Sequence, residues 1–194
     1  KRVGMWGWSG GGQMTLNCMF RYPEIYKTGL AVSFVSDQKL YDATYQERYM
    51  GLLEGNAKGY HDGSPINHAK NLKGNLMIIH GTGDDNVHYQ NSEALINALV
   101  AANKQFEMME YPDRNHSISG GNTTLHLREL LTRYLDEHLM RPCRPVSDGT
   151  VMLPFRARQS PPSTLGTVST TPKQTMKTSL SAALATLSML LAGT

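Results

Sequence analysis

Three residues spaced far apart in this chain have the types needed for nucleophilic hydrolysis: Ser9, Asp84 and His116. A serine hydroxyl attacks poorly at neutral pH until an imidazole takes its proton. The imidazole in turn needs a carboxylate to hold its tautomer and to stabilise the cation it becomes. Ser9 lies in Gly7-Trp8-Ser9-Gly10-Gly11, the G-x-S-x-G pattern in which a strand turns sharply into a helix and presents the hydroxyl at the bend. The flanking glycines are expected to be needed because the turn crowds backbone against backbone. Taken alone, the pentapeptide also fits an ordinary glycine-rich turn with a spare serine.

Asp84 follows His80-Gly81-Thr82-Gly83, just past an apolar run, and His116 lies in Pro112-Asp113-Arg114-Asn115-His116-Ser117. Each has a plainer reading. Asp84 and Asp85 would serve equally as helix caps, Asp-Asp-x-x-His at 84–88 as a metal site, and a loop histidine is usually just solvated. What joins the three is their order, Ser…Asp…His, which is that of the α/β-hydrolases, and each follows a predicted strand. The remaining histidines (His61, His68, His80, His88, His126 and His138) lack that placement.

The elements that must carry these residues alternate. Lys1 to Met5 reads as the strand feeding the turn, and Gly11 to about Phe20 as the helix leaving it. Gly29 to Val35 is a short apolar, β-branched run typical of a buried parallel strand. Ser36 to Asp62 shows no clean period, and Ser64 to Leu72 reads as a short helix with proline in its first turn. Asn75 to Gly81 is the clearest strand. Asn91 to Asn103 carries a helical stripe at 95, 96, 99 and 100, and Gln105 to Tyr111 alternates as a strand. Thr123 to Met140 places Leu127, Leu130, Leu131, Tyr134, Leu135 and Leu139 on one helix face. Four strand–helix repeats predict an α/β fold, a mostly parallel sheet with helices on both faces.

Composition narrows the class. A net charge of +3, with no window interleaving basic and aromatic residues, gives no reason to expect nucleic acid as a partner. Two cysteines, Cys18 and Cys143, with no Cys-x-x-Cys, argue against a structural zinc site or a disulfide scaffold; separately, hydrolysis through Ser9, Asp84 and His116 implies no metal or other cofactor. The domain expectation is a catalytic portion over 1–140. Residues 141–194 are expected to form a low-complexity tail, rich in Pro, Ser and Thr, ending in a short apolar segment from Met176. That segment is too short and serine-rich to read as a membrane span, and its layout fits an anchor-addition tail or a signal peptide equally.

Gly-Trp-Ser-Gly-Gly-Gly at 7–12, Tyr-Asp-Ala-Thr-Tyr-Gln-Glu-Arg-Tyr-Met-Gly at 41–51, His-Gly-Thr-Gly-Asp-Asp-Asn-Val-His at 80–88 and the His116 loop together resemble the dipeptidyl-peptidase-IV-like serine peptidases of the prolyl oligopeptidase family. The resemblance runs from about residue 1 to 140 and implies the C-terminal part of an α/β-hydrolase catalytic domain, an incomplete one. It implies Ser9 as nucleophile, Asp84 as acid, His116 as base and the Gly10 N–H as one oxyanion donor. Tyr41 and Tyr45 would wall the pocket for a proline or alanine, Asn86 would contact the substrate carbonyl, and Val35 and Val87 would line the pocket. Tyr41 and Tyr45, four apart, are otherwise explained as packing on a helix face. Gly10 stands where mammalian members have tyrosine, and Gln38 replaces an aromatic that shapes the pocket in some relatives.

The implied activity is release of N-terminal Xaa-Pro or Xaa-Ala dipeptides from a peptide substrate through an acyl-enzyme. A second oxyanion donor, the remaining hydrolase strands and a β-propeller that holds the substrate's amino terminus would lie outside the chain, so the chain alone is expected to be inactive. Two alternatives stay open: another oligopeptidase, acylaminoacyl peptidase or esterase, and a catalytically inactive interaction module. By resemblance the last helix would join a homodimer interface, and the site of action would be extracytoplasmic. Asn115-His116-Ser117 and Asn122-Thr123-Thr124 fit the N-glycosylation pattern, but a sugar on Asn115 would crowd His116.

Overall fold

Strand β1 (Val3–Trp8), β2 (Tyr26–Val32), β3 (Asn75–Gly81) and β4 (Glu107–Tyr111) form one sheet in the order β1-β2-β3-β4, with every neighbouring pair parallel. This computed structural model describes residues 2–140, so the tail expected over 141–194 lies outside the described residues. The central strands are buried on both sides, which is why β2 and β3 read as continuous apolar runs rather than alternating ones. The outer strands are more exposed, and β4 keeps Glu107, Met108 and Glu110 open to solvent.

Successive strand residues point to opposite faces, so each central strand feeds two cores. Ala31, Leu76 and Ile78 pack with Leu16, Met19 and Phe20 of α1 (Gly10–Arg21), and with Leu95 and Leu99 of a second helix on that face. Leu30, Val32, Met77 and Ile79 pack on the other face with Leu127, Leu130, Leu131 and Tyr134 of the last helix. Helices therefore cover both faces, as the strand–helix alternation predicted. The sheet and its helices form a single compact unit across the described residues.

Several boundaries depart from the sequence reading: β1 runs Val3–Trp8 rather than Lys1 to Met5, and β2 starts at Tyr26 rather than Gly29. β2 stops at Val32 instead of running to Val35, because Ser33 turns the backbone out of the extended region at φ 45°. Phe34 and Val35 are buried by packing, not as strand residues. The segment 36–62, which showed no period, holds two helices: α2 (Ala43–Met50) and α3 (Ala57–Gly63). Their interiors are nearly free of buried apolar side chains, and their ends are specified instead. Asp42 accepts from Thr44 N at 2.7 Å to start α2, Gly51 at φ 73° ends it, and Asn56 accepts from Gly59 N to start α3.

Pro65–Asn71 is a 3-10 helix. In α4 (Gln90–Ala101) Leu95 and Leu99 are fully buried, while Val100 is 64% exposed and falls off the expected stripe. The last helix, α5 (Thr123–Leu135), gives way to one π-helical turn over Asp136–Met140. β4 begins at Glu107 rather than Gln105, opposite Met77 of β3.

Candidate active site

All four strands point the same way, so their carboxyl ends share one edge of the sheet, where ligands and catalytic groups collect in parallel α/β folds. Ser9, Asp84 and His116 follow β1, β3 and β4 at that edge. The hydrogen-bond ladder continues one step past the strands: Ser9 N donates to Val32 O at 2.9 Å, Ser33 N to Ile79 O at 2.8 Å and Thr82 N to Tyr111 O at 3.0 Å. The loops therefore leave the sheet from fixed positions.

Ser9 occupies φ 58°, ψ −122°, a combination that side-chain-bearing residues rarely adopt and that costs of order 1–3 kcal/mol. It is the N-cap of α1, yet its hydroxyl makes no capping bond. A serine in that position ordinarily satisfies a first-turn N–H; here no capping bond commits the Oγ. The N–H of Gly10, first residue of α1, has no partner within the helix, and the helix N-terminus adds partial positive charge there. This is what a developing oxyanion requires.

The glycines of the turn divide by geometry. A Cβ on Gly7 would collide with the Gly11 backbone, and one on Gly12 would lie 2.8 Å from Phe34 Cβ and 2.9 Å from Val32 O. At Gly10 and Gly11 a Cβ would meet nothing within 4 Å. Of the two flanks expected to need glycine, Gly7 does and Gly11 does not. Gly11 supplies the backbone that excludes a side chain at 7. Gly12, which the motif does not flag, is the second essential gap.

Asp84 has no exposed side-chain surface, and its carboxylate accepts four hydrogen bonds. Oδ1 takes the N–H groups of Asn86 and Val87, both at 3.0 Å. Oδ2 takes His116 Nδ1 at 2.9 Å and His80 Nε2 at 3.1 Å. Burial alone would favour the neutral acid, but the bonds from His80, His116 and Asn86 outweigh it and hold the carboxyl at about 2. An ionised carboxylate can only accept, so His116 Nδ1 carries a proton, and in the neutral ring Nε2 has its lone pair for a hydroxyl. The His116 side chain is 22% exposed, open enough to meet a substrate. Among the described residues no hydrogen bond joins Ser9 to His116, a contact that in empty sites commonly forms only with substrate. Trp8 bridges the gap through the backbone: its indole Nε1 donates to His116 O at 2.9 Å, tying the elbow to the His116 loop 108 positions away.

Tyr41 donates its hydroxyl to Asn86 Oδ1 at 3.0 Å, so the tyrosine segment is bonded to the loop that carries Asp84. Burial, with the negative charges of Asp42 and Asp84 nearby, pushes the Tyr41 phenol up and keeps it a donor. Tyr41 and Tyr45 meet edge to face at 5.5 Å and Tyr45 meets Tyr49 at 4.9 Å, which makes a ladder of three rings, with Tyr45 and Tyr49 exposed. The ladder adds Tyr49 to the pair singled out in the sequence. Val35 and Val87 are buried beneath this edge, at 2% and 0% exposure. Gln38 is buried against Gly63, and its N–H donates to Ser64 Oγ.

Sequence reasoning passed over two residues. His80 was set aside because it lies inside a strand, and it proves to be a partner of Asp84. Its phase gave a signal: Leu76, Ile78 and His80 share a face, so the imidazole had to be buried and had to find partners. Asn91, fully buried, joins the loop after β2 to the start of α4. It accepts from Ser36 N at 3.0 Å and donates to Leu40 O at 3.2 Å. An Asp-Asp-x-x-His metal site is not formed: among the described residues no group of three or more His, Cys, Asp or Glu side chains is placed to hold a metal ion.

Residues 1–141 match the prolyl oligopeptidase family. The chain is 38% identical over 140 residues to dipeptidyl peptidase 4 of Bos taurus, covering 71% of this chain and 18% of that protein. It is 36% identical over 151 residues to prolyl endopeptidase FAP of Mus musculus, covering 76% of this chain and 19% of that protein. Among solved structures, Porphyromonas gingivalis dipeptidyl peptidase 4 superposes with a TM-score of 0.69 at 45% identity, over 71% of this chain and 20% of that one. The chain thus spans about a fifth of the length of such relatives. With its parallel sheet, serine elbow and matched sequence, it belongs to the prolyl oligopeptidase family and has the α/β-hydrolase fold of that family's peptidases.

Proposed function

We propose that the protein carrying this chain is a serine peptidase that releases N-terminal Xaa-Pro or Xaa-Ala dipeptides, with Ser9, Asp84 and His116 as its triad. The observation that carries this reading is the 2.9 Å bond from His116 Nδ1 to a fully engaged Asp84, set on the strand edge from which the uncapped Ser9 emerges. In the reaction, Ser9 Oγ attacks the peptide carbonyl carbon while His116 Nε2 takes the hydroxyl proton. The Gly10 N–H holds the oxyanion, joined by a second donor from elsewhere in the whole protein. His116 then returns the proton to the leaving amine, and an acyl-enzyme remains on Ser9. Water, deprotonated by His116, hydrolyses it and frees the serine.

The half-buried ring of Tyr41 and the exposed ring of Tyr45 suit proline, a flat apolar ring that brings no N–H to satisfy. Asn86, already bonded to Tyr41, would present its amide to the substrate carbonyl, and Val35 and Val87 would back the pocket. Residues 1–140 would be the catalytic portion and 141–194 an appended tail. The activity needs the rest of the whole protein, homodimerisation through the last helix fits the same reading, and the site of action would be extracytoplasmic.

The test is Ser9→Ala in the full-length protein, assayed on free-amino and amino-blocked Xaa-Pro chromogenic substrates. Dipeptide release from the free-amino substrate alone, abolished by the substitution, is expected. Turnover unchanged by Ser9→Ala would overturn the reading, and cleavage of blocked substrates would move it to an endopeptidase or esterase.

A further inference from the structure

His80, the last residue but one of β3, is buried to 2% exposure, in contact with the proposed triad but outside it. Its ring is fixed on every side. Phe34 lies at 5.5 Å and Tyr89 at 5.6 Å, the latter edge to face. Nδ1 meets Ser92 Oγ at 2.7 Å, and Nε2 meets both Val87 O at 2.8 Å and Asp84 Oδ2 at 3.1 Å. The two groups facing Nε2 are a carbonyl and a carboxylate, neither of which has a proton to give. The proton is therefore on Nε2, shared between them, and Ser92 is free to donate its hydroxyl to Nδ1.

Two imidazole N–H groups thus converge on one oxygen of Asp84. The geometry assigns to His80 the role of a positioning residue for the proposed triad: by donating to Asp84 Oδ2 it locks the carboxylate and shares its charge with His116. This inference rests on the proposed hydrolase reading. A carboxylate oxygen with a second donor pulls less strongly on the proton at His116 Nδ1. His116 then forms a less stabilised cation and gives its proton back more readily. Val87 O fixes His80 from the far side, so the same loop that supplies two N–H groups to Oδ1 also aims the donor at Oδ2. The other ionisable groups around this pair are Tyr41, within electrostatic reach of Asp84, and Tyr89, whose hydroxyl is bonded to Glu110 and whose ring faces His80; Glu93 lies near Tyr89.

The test pairs His80→Asn with His80→Gln in the full-length protein, each normalised to active sites titrated with a fluorophosphonate. Asparagine reaches as far as Nδ1 and keeps a partner for Ser92 but cannot reach Asp84; glutamine places an N–H near the position of Nε2. In His80→Asn the acid limb of kcat/KM is expected to move up by about 0.5–1 pH unit, with kcat down about tenfold and KM little changed. His80→Gln is expected to restore the wild-type limb. A wild-type pH profile in His80→Asn, or equal shifts in both variants, would overturn the inference, since packing loss alone would not discriminate between them. If His80→Asn fails to fold, 15N-histidine spectra of the wild-type protein decide: a proton on Nε2 of His80 is expected, and an unprotonated Nε2 would overturn it. Ser9→Ala separates the two failures. If it leaves turnover intact the hydrolase reading falls, and if it abolishes turnover while His80→Asn is silent, only the role of His80 falls.

Discussion

Asp84 is the most heavily committed side chain at this edge, and its four donors have a consequence for acid stability. Its carboxyl sits at about 2 in the folded chain against 3.8 ordinarily, so the ionised form favours folding at any pH above the unfolded value. That contribution is lost as pH falls through 4 toward 2. Denaturant titrations across this window should show a steeper acid loss in the native chain than in Asp84→Asn, and parallel curves would refute it. A second residue-scale prediction concerns Trp8. Trp8→Phe keeps most of the ring but removes the indole bond to His116 O, and should cost about 1 kcal/mol in urea unfolding. No change would mean that water replaces the bond without loss. The three residues proposed as the triad could be singled out in the sequence because each follows a strand. His80 and Trp8 could not, since their roles depend on which loops the sheet brings together.

At the scale of elements, legibility followed burial. β3 was read to the residue because from Leu76 to Gly81 it is buried on both faces. α2 was invisible because its tyrosines are exposed and only Gln46 is buried, so caps at Asp42 and Gly51 define it in place of an apolar stripe. The end of β2 was overrun because Phe34 and Val35 are as apolar as the strand, and only the turn at Ser33 separates them. The β1–α1 elbow yields a ranked prediction. Gly7→Ala forces a backbone collision and should leave little folded protein, and Gly12→Ala should cost about 1–3 kcal/mol by overpacking Phe34. Gly10→Ala, in open space within a helix, should be neutral or stabilising by about 0.5–1 kcal/mol. Thermal melts of the three would check the order, and equal losses would contradict the geometry.

At the scale of the molecule, β1 pairs with β2 alone among the described residues, and Trp6 within it is 49% exposed. An edge that long and unprotected is a template for another strand. The chain expressed by itself should therefore self-associate with rising concentration in sedimentation runs and fail to turn over Xaa-Pro substrates. A dilution-stable monomer would show the edge to be closed. Among the described residues no helix is long and apolar enough to cross a membrane. The contorted backbone at position 9 bears on history as well as on chemistry. Only glycine would sit there without penalty, so a lineage that no longer hydrolysed anything would gain robustness by discarding its serine. Drift away from use would run downhill at this one codon. Under the proposed reading the serine stays at a cost in stability, one that Ser9→Gly would recover.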